Sequence, residues 1–243
     1  VYLIMAASVG IGVIGTFLAR EPRVEANLRS SAPPLQRIQE GVIGPFQDYF
    51  TRPGAFEILL FLVLYKLGDV VAGSMVTPFL LQTGFTKTDI GAVYKVFGML
   101  ATVLGGLIGG TIMMRLGMRF SLWFFGILQA VTNVLFALLA TAGANYSLLV
   151  STVILENLAG GMGTAAYAAF MMTLCRAKFT ASQYALLSSL MAVARVLASS
   201  PTGFMAKTLG WPSFFVVSIA LAVPGLLMLL RYPVWERGLP RKG

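Results

Sequence analysis

The sequence predicts an all-α fold, a polytopic transmembrane helical bundle, on three observations. Apolar residues make up 57% of the 243 positions and charged residues only 11%, against about a quarter charged in soluble domains. Mean hydropathy is +0.82. Apolar runs recur at the length that crosses a hydrocarbon core, roughly 20 residues for a helix. Seven occur, at residues 1–19, 55–81, 89–114, 120–142, 146–175, 180–206 and 212–231.

The same composition excludes whole classes of chemistry. There is no histidine, which removes Ser-His-Asp and Cys-His catalysis and imidazole metal sites. Cys175 is alone, so no intramolecular disulfide forms. No Gly-x-x-x-x-Gly-Lys phosphate loop occurs, so the chain holds no nucleotide-driven pump. No nucleophile and base stand at credible spacing. Neither an enzyme, a metal nor a cofactor is expected. A net charge of +9 would suggest nucleic acid in a soluble protein, but in an apolar chain its distribution reads as topology.

Taken in order, the first run (1–19) lacks a basic segment before it, and its charge follows it, which argues for a span rather than a secretory signal. Val1 stands inside this run, as in the middle of a longer protein. Residues 20–54 turn charged and carry Pro22, Pro33, Pro34, Pro45 and Pro53, so they read as a linker. Within it, 36–49 has scattered apolar residues for a short helix on the membrane surface, or else is a solvated connection. Six closely connected spans fill 55–231, and 232–243 reads as a tail. Basic residues alternate between connections. One side holds thirteen: Arg20, Arg23, Arg29, Arg37, Arg52, Arg115, Arg119, Arg176, Lys178, Arg231, Arg237, Arg241 and Lys242. The other holds two, Lys87 and Lys207. The richer side is predicted to be cytoplasmic, with the linker and the C-terminus on it.

Five ionisable residues fall inside spans: Lys66, Asp69, Lys95, Glu156 and Arg195. In hydrocarbon such groups are costly and usually face a bundle interior or a watery cavity. At 1.5 Å rise per residue, Lys66 lies roughly 17 Å and Asp69 roughly 21 Å from the inner end of their span. Glu156 and Lys95 lie roughly 15 Å and 9 Å from the outer ends of theirs. All five therefore gather between the midplane and the outer leaflet. Glu57 sits close to a predicted boundary and is read as interfacial. Lys66 and Asp69, three apart, share a helix face. They read either as a charged cavity wall or as an ion pair that merely neutralises itself. Tyr65, Tyr94 and Tyr167 offer ring faces for sugars, and Gln129 and Asn157 offer amides. Gly105, Gly106, Gly109 and Gly110 read first as helix-packing positions; Gly160, Gly161 and Gly163 suit close packing or a broken helix.

One span, a long linker and six spans is the pattern of a major facilitator transporter cut just before the end of its first six-helix half. The stretch from Gly109 through Arg115 and Gly117 to Arg119 resembles the glycine-and-arginine loop of that superfamily, without its usual acidic residue.

A narrower resemblance lies in Tyr65-Lys66-Leu67-Gly68-Asp69, in Leu100-Ala101-Thr102-Val103, and in Phe125-Gly126-Ile127-Leu128-Gln129. It continues in the block from Glu156-Asn157-Leu158 to Thr164-Ala165-Ala166, then Met172 to Cys175 and Gln183 to Ser188. Over residues 55–230 the chain resembles the second half of the AmpG-type muropeptide permeases. The resemblance implies a proton symporter in the inner membrane of Gram-negative bacteria, in the lipid bilayer and completed by an N-terminal half. Its substrates would be N-acetylglucosaminyl-anhydro-N-acetylmuramyl peptides, moved from periplasm to cytoplasm for peptidoglycan recycling, an uptake on which β-lactamase induction depends. Such a substrate suits Lys66, Lys95 and Arg195 for carboxylates, Tyr65, Tyr94, Gln129, Asn157 and Tyr167 for the sugars, and Asp69 or Glu156 for the coupled proton. A transporter of another anion, such as acetyl-coenzyme A, and a membrane scaffold whose charges only specify helix pairing remain as alternatives.

Overall fold

The computed structural model describes residues 9–10, 13–15, 43–52, 54–176 and 179–238. Most of the predicted span 1–19, the linker up to residue 42, Lys178 and the end of the tail lie outside the described residues. The chain divides into two compact units, residues 1–40 and 41–243. The second unit holds the helices of the predicted six-span bundle.

Among the described residues every regular element is helical. In the second unit a short helix α1 (Gly44–Phe50) opens with a proline in its first turn, where the missing N–H costs nothing. Helix α2 (Ala55–Thr83) runs 29 residues between two left-handed glycines, Gly54 and Gly84. Helix α3 (Lys87–Val93) starts on a reciprocal cap between Thr86 and Asp89. A π turn over Tyr94–Gly98 joins it to α4 (Met99–Leu116). Then come α5 (Met118–Ala142), α6 (Tyr146–Leu174) capped by Asn145, α7 (Thr180–Ser199), α8 (Thr202–Leu209) and α9 (Trp211–Met228). A 3₁₀ turn over Leu229–Arg231 leads into α10 (Tyr232–Gly238).

Among the described residues five continuous stretches are long and apolar enough to cross a membrane: Lys87–Leu116, Met118–Ala142, Tyr146–Leu174, Thr180–Leu209 and Trp211–Glu236. Helix α2 is long enough, about 43 Å at 1.5 Å per residue, but is not among them; it carries Glu57, Lys66 and Asp69. The span expected at 180–206 is two helices, because Pro201 has no N–H to continue the ladder of α7. The expected tail at 232–243 begins instead as a packed helix. Trp235 is 1% exposed, lies 5.2 Å from the Phe61 ring and donates a 3.1 Å hydrogen bond to Glu57. Arg231 holds the other oxygen of Glu57 at 2.8 Å.

Two apolar clusters lie at opposite ends of the bundle. One gathers Phe61, Leu62, Tyr65, Leu122, Phe125, Ala166, Phe170 and Trp235. The other gathers Val71, Val76, Phe79, Phe136, Leu139, Leu149, Val153, Phe214 and Phe215. Along α2, α5 and α6 alike, polar residues occupy the interval between them: Lys66 and Asp69, then Gln129, Thr132 and Asn133, then Glu156 and Asn157. A polar waist between two oily ends results directly from this shared spacing.

The spacing across the waist is set by glycine. A Cβ on Gly105 or Gly109 of α4 would run into the backbone of Leu158 or Met162 on α6, whereas one on Gly106 or Gly110 would meet nothing within 4 Å. Helices α4 and α6 therefore touch backbone to backbone along one glycine stripe, as the packing reading expects for Gly105 and Gly109, whereas Gly106 and Gly110 are not packing positions in this bundle.

Candidate functional site

A cavity of about 940 Å³ opens at the polar waist, lined by α2, α4, α5, α6 and α7. Each helix contributes a stripe at helical spacing. Lys66, Asp69, Val70 and Gly73 come from α2, and Ser188, Met191, Ala192 and Arg195 from α7, both in the i, i+3, i+4, i+7 pattern of a single face. Helix α5 adds Gln129, Thr132 and Asn133, helix α6 adds Glu156, Asn157, Gly160 and Thr164, and helix α4 adds Thr102 and Gly106.

Lys66 is the best-anchored charge. Its ammonium donates to Gln129 Oε1 at 2.8 Å and to Asp69 at 3.2 Å, and lies 6.0 Å from the centre of the Tyr167 ring. An ammonium can only donate, so the Gln129 oxygen must face it and the Gln129 nitrogen must point away. That nitrogen packs against Gly163 of α6 at a place a Cβ would occupy. Gln129 thus wedges between α2 and α6.

Glu156 is held differently. Its Oε2 accepts a 2.9 Å hydrogen bond from the side-chain amide of Asn157, and among the described residues no cation stands within ion-pair distance of it. Arg195 is exposed to the cavity and enters no ion pair among the described residues either. Among those residues, the site therefore contains one paired acid, one acid held only by a neutral donor, and one unpaired cation.

Six of the ten residues singled out from the sequence line the cavity: Lys66, Asp69, Gln129, Glu156, Asn157 and Arg195. Four do not. Tyr65 and Tyr167 are buried behind it, stacked on each other at 5.8 Å. Their hydroxyls donate to the carbonyls of Leu122 and Leu62, at 2.9 Å each. Tyr94 is partly buried against the second apolar cluster. Lys95, in the π turn, is exposed and is not among the cavity-lining residues. Sequence reading missed Thr102, Thr132, Asn133, Thr164 and Ser188. The signal for two of them was present, since Thr132 and Asn133 come three and four positions after Gln129 and must share its face.

Comparison with known proteins places this arrangement. A family model described as Major Facilitator Superfamily matches residues 1–199. The anhydromuropeptide permease of Escherichia coli K12 is 42% identical over 230 residues, 94% of this chain and 46% of that protein. A putative transporter AmpG 1 of Rickettsia prowazekii is 41% identical over 174 residues, 72% of this chain and 39% of that one. A putative transporter AmpG 4 of Rickettsia conorii is 36% identical over 189 residues, 78% of this chain and 46% of that one. The chain spans less than half the length of these three relatives. The resemblance carried by the motifs at 65–69 and 156–166 is thus met by relatives bearing that family's name. Apolar helices of spanning length and permease relatives together make this a multi-pass membrane protein. By the extent of the family match and by its helical architecture, the chain belongs to the Major Facilitator Superfamily.

Proposed function

We propose that this chain forms one helical bundle of a secondary transporter that imports anhydromuropeptides across the bacterial inner membrane, from periplasm to cytoplasm, by proton symport. The observation that carries this reading is the cavity of about 940 Å³, carrying charged and amide side chains between two apolar clusters. That is where such transporters bind their cargo, between two bundles that rock about a shared site. A second bundle faces this one in the working protein. The thirteen-to-two bias of basic residues supports a cytoplasmic C-terminus.

The unpaired Arg195 is the anchor for a substrate carboxylate, since a guanidinium binds a carboxylate through two parallel donors. Asp69 is neutralised by Lys66 at 3.2 Å, so the acid free to exchange a proton with its surroundings is Glu156. The anhydro-sugars occupy the amide and hydroxyl side of the cavity along α5. No chemical step is required of any residue beyond binding and proton exchange.

Uptake of labelled anhydromuropeptide into right-side-out membrane vesicles tests this, with both bundles present and variants at equal abundance. Arg195→Gln should lower kcat/KM about ten- to hundredfold, the value of one lost charge-assisted contact. Glu156→Gln should abolish accumulation against a gradient. Competition by a coenzyme A thioester but not by anhydromuropeptide would give the site to the other anion. Absence of uptake of either by the unaltered protein would favour the scaffold.

A further inference from the structure

Asn157 has every hydrogen-bonding atom committed within the helices. Its amide nitrogen donates to the Val153 carbonyl at 2.8 Å and to Glu156 Oε2 at 2.9 Å. Its oxygen accepts from Thr102 Oγ1 at 3.1 Å, across the interface from α6 to α4. The assignment of nitrogen and oxygen rests on chemistry: two acceptors flank one side of the amide, and a hydroxyl stands on the other. Both N–H donors of this side chain are thus spent within the helices, and only one lone pair of its oxygen is left to face a sugar hydroxyl.

We infer that Asn157 is a positioning residue that holds the Glu156 carboxylate and links its protonation to the contact between α4 and α6. The inference rests on Glu156 being the proton-exchanging acid proposed above. A carboxyl oxygen that takes up a proton becomes a donor and a poor acceptor. When a proton binds Oε2, one bond of Asn157 is lost and the amide is free to turn. Turning it moves the oxygen away from Thr102, whose single hydroxyl hydrogen has a second acceptor 2.9 Å away in the Gly98 carbonyl. A proton on α6 thereby releases a polar tie to α4, at the point where both helices line the cavity. Gly98 closes the π turn that precedes α4, and such turns are places where a helix yields. The other charged groups facing Glu156 across the cavity are Lys66 and Asp69 from α2 and Arg195 from α7; α4 and α5 present only uncharged lining.

The test separates positioning from substrate recognition. Asn157→Leu is compared with the unaltered protein for accumulation driven by a proton gradient, for gradient-independent exchange of internal against external anhydromuropeptide, and for KM. Driven accumulation should fall about tenfold more than exchange, with KM changed less than about twofold, the pattern of a contact that acts on coupling rather than on binding. Thr102→Val should move the same ratio in the same direction and less far. Asn157→Ser, which restores a donor, should recover part of the coupling. A KM raised about tenfold with driven and exchange rates falling together would make Asn157 a substrate ligand and overturn the inference. Should Glu156→Gln itself accumulate substrate normally, the proton assignment fails first, and that outcome is read independently of Asn157.

Discussion

The side-chain amide of Gln129 on α5 lies where a Cβ on Gly163 of α6 would be, so a glycine is imposed there by a neighbouring side chain rather than by a turn. The same amide receives the Lys66 ammonium at 2.8 Å. One close approach thus connects three helices at the waist.

Gly163→Ala should therefore destabilise the bundle by about 1–3 kcal/mol, as overpacking of a close contact does. Shortening the intruder in the double variant Gly163→Ala, Gln129→Ala should cost less than the two single changes added together, because they act on one contact. Thermal unfolding of the purified protein in detergent reads both. Strict additivity would disprove the wedge.

The glycine pairs of α4 give an internal control. Gly105 faces the Leu158 backbone and Gly106 faces open space. Gly105→Ala should lower stability by about 1–3 kcal/mol and Gly106→Ala by less than about 0.5 kcal/mol. Equal melting temperatures for the two variants would mean that α4 and α6 do not meet along this stripe.

At the end of the bundle carrying α1, Asp48 is the centre of a charged cluster. It pairs with Arg52 at 2.5 Å and with Arg176, and accepts from the buried amide of Gln183 at 2.9 Å. Burial pushes its carboxyl up, but the hydrogen bonds from Arg52 and Gln183 and the two positive charges outweigh burial and hold it below its ordinary value of 3.8. A depressed carboxyl contributes stability that is complete above its unfolded value and is lost as pH falls through the folded one. Docking of α1 should accordingly be unchanged from about pH 7 down to about pH 5, and weaken only in acid below about 3.8. Hydrogen exchange of residues 44–50 across that range measures it. Loss of protection already near neutral pH would contradict the cluster's geometry, and Asp48→Asn should remove the acid transition altogether.

Much of the fold was legible. The spans expected at 120–142 and 146–175 are helices Met118–Ala142 and Tyr146–Leu174, because Gly117 and Asn145 mark their starts and nothing inside them breaks the ladder. The run expected at 180–206 is found as the stretch Thr180–Leu209, which Pro201 divides into two helices. One local feature differs from the expectation. Trp235 draws the segment after 231 onto Phe61 and Glu57, a contact between residues far apart in the chain that no local pattern announces.

The site was legible in part, and the division has a cause. Spacing along a helix tells which residues share a face, so Lys66 with Asp69, and Gln129 with Asn133, can be grouped from the sequence. It does not tell which way the face points. Lipid and protein interior are equally apolar, so hydrophobicity cannot orient a helix that is oily all round. Lys95 and Tyr94 looked as good as Lys66 and Arg195 for this reason, and only packing brought Arg195 into the cavity lining and left Lys95 out of it. The positions and order of the long apolar helices between residues 87 and 236 were written in composition, because the hydrocarbon thickness imposes a minimum apolar run. The pairing of Asn157 with Thr102 was decided by glycines that let α4 and α6 approach backbone to backbone, and that of Lys66 with Gln129 accompanies the seat that Gly163 leaves for the Gln129 amide.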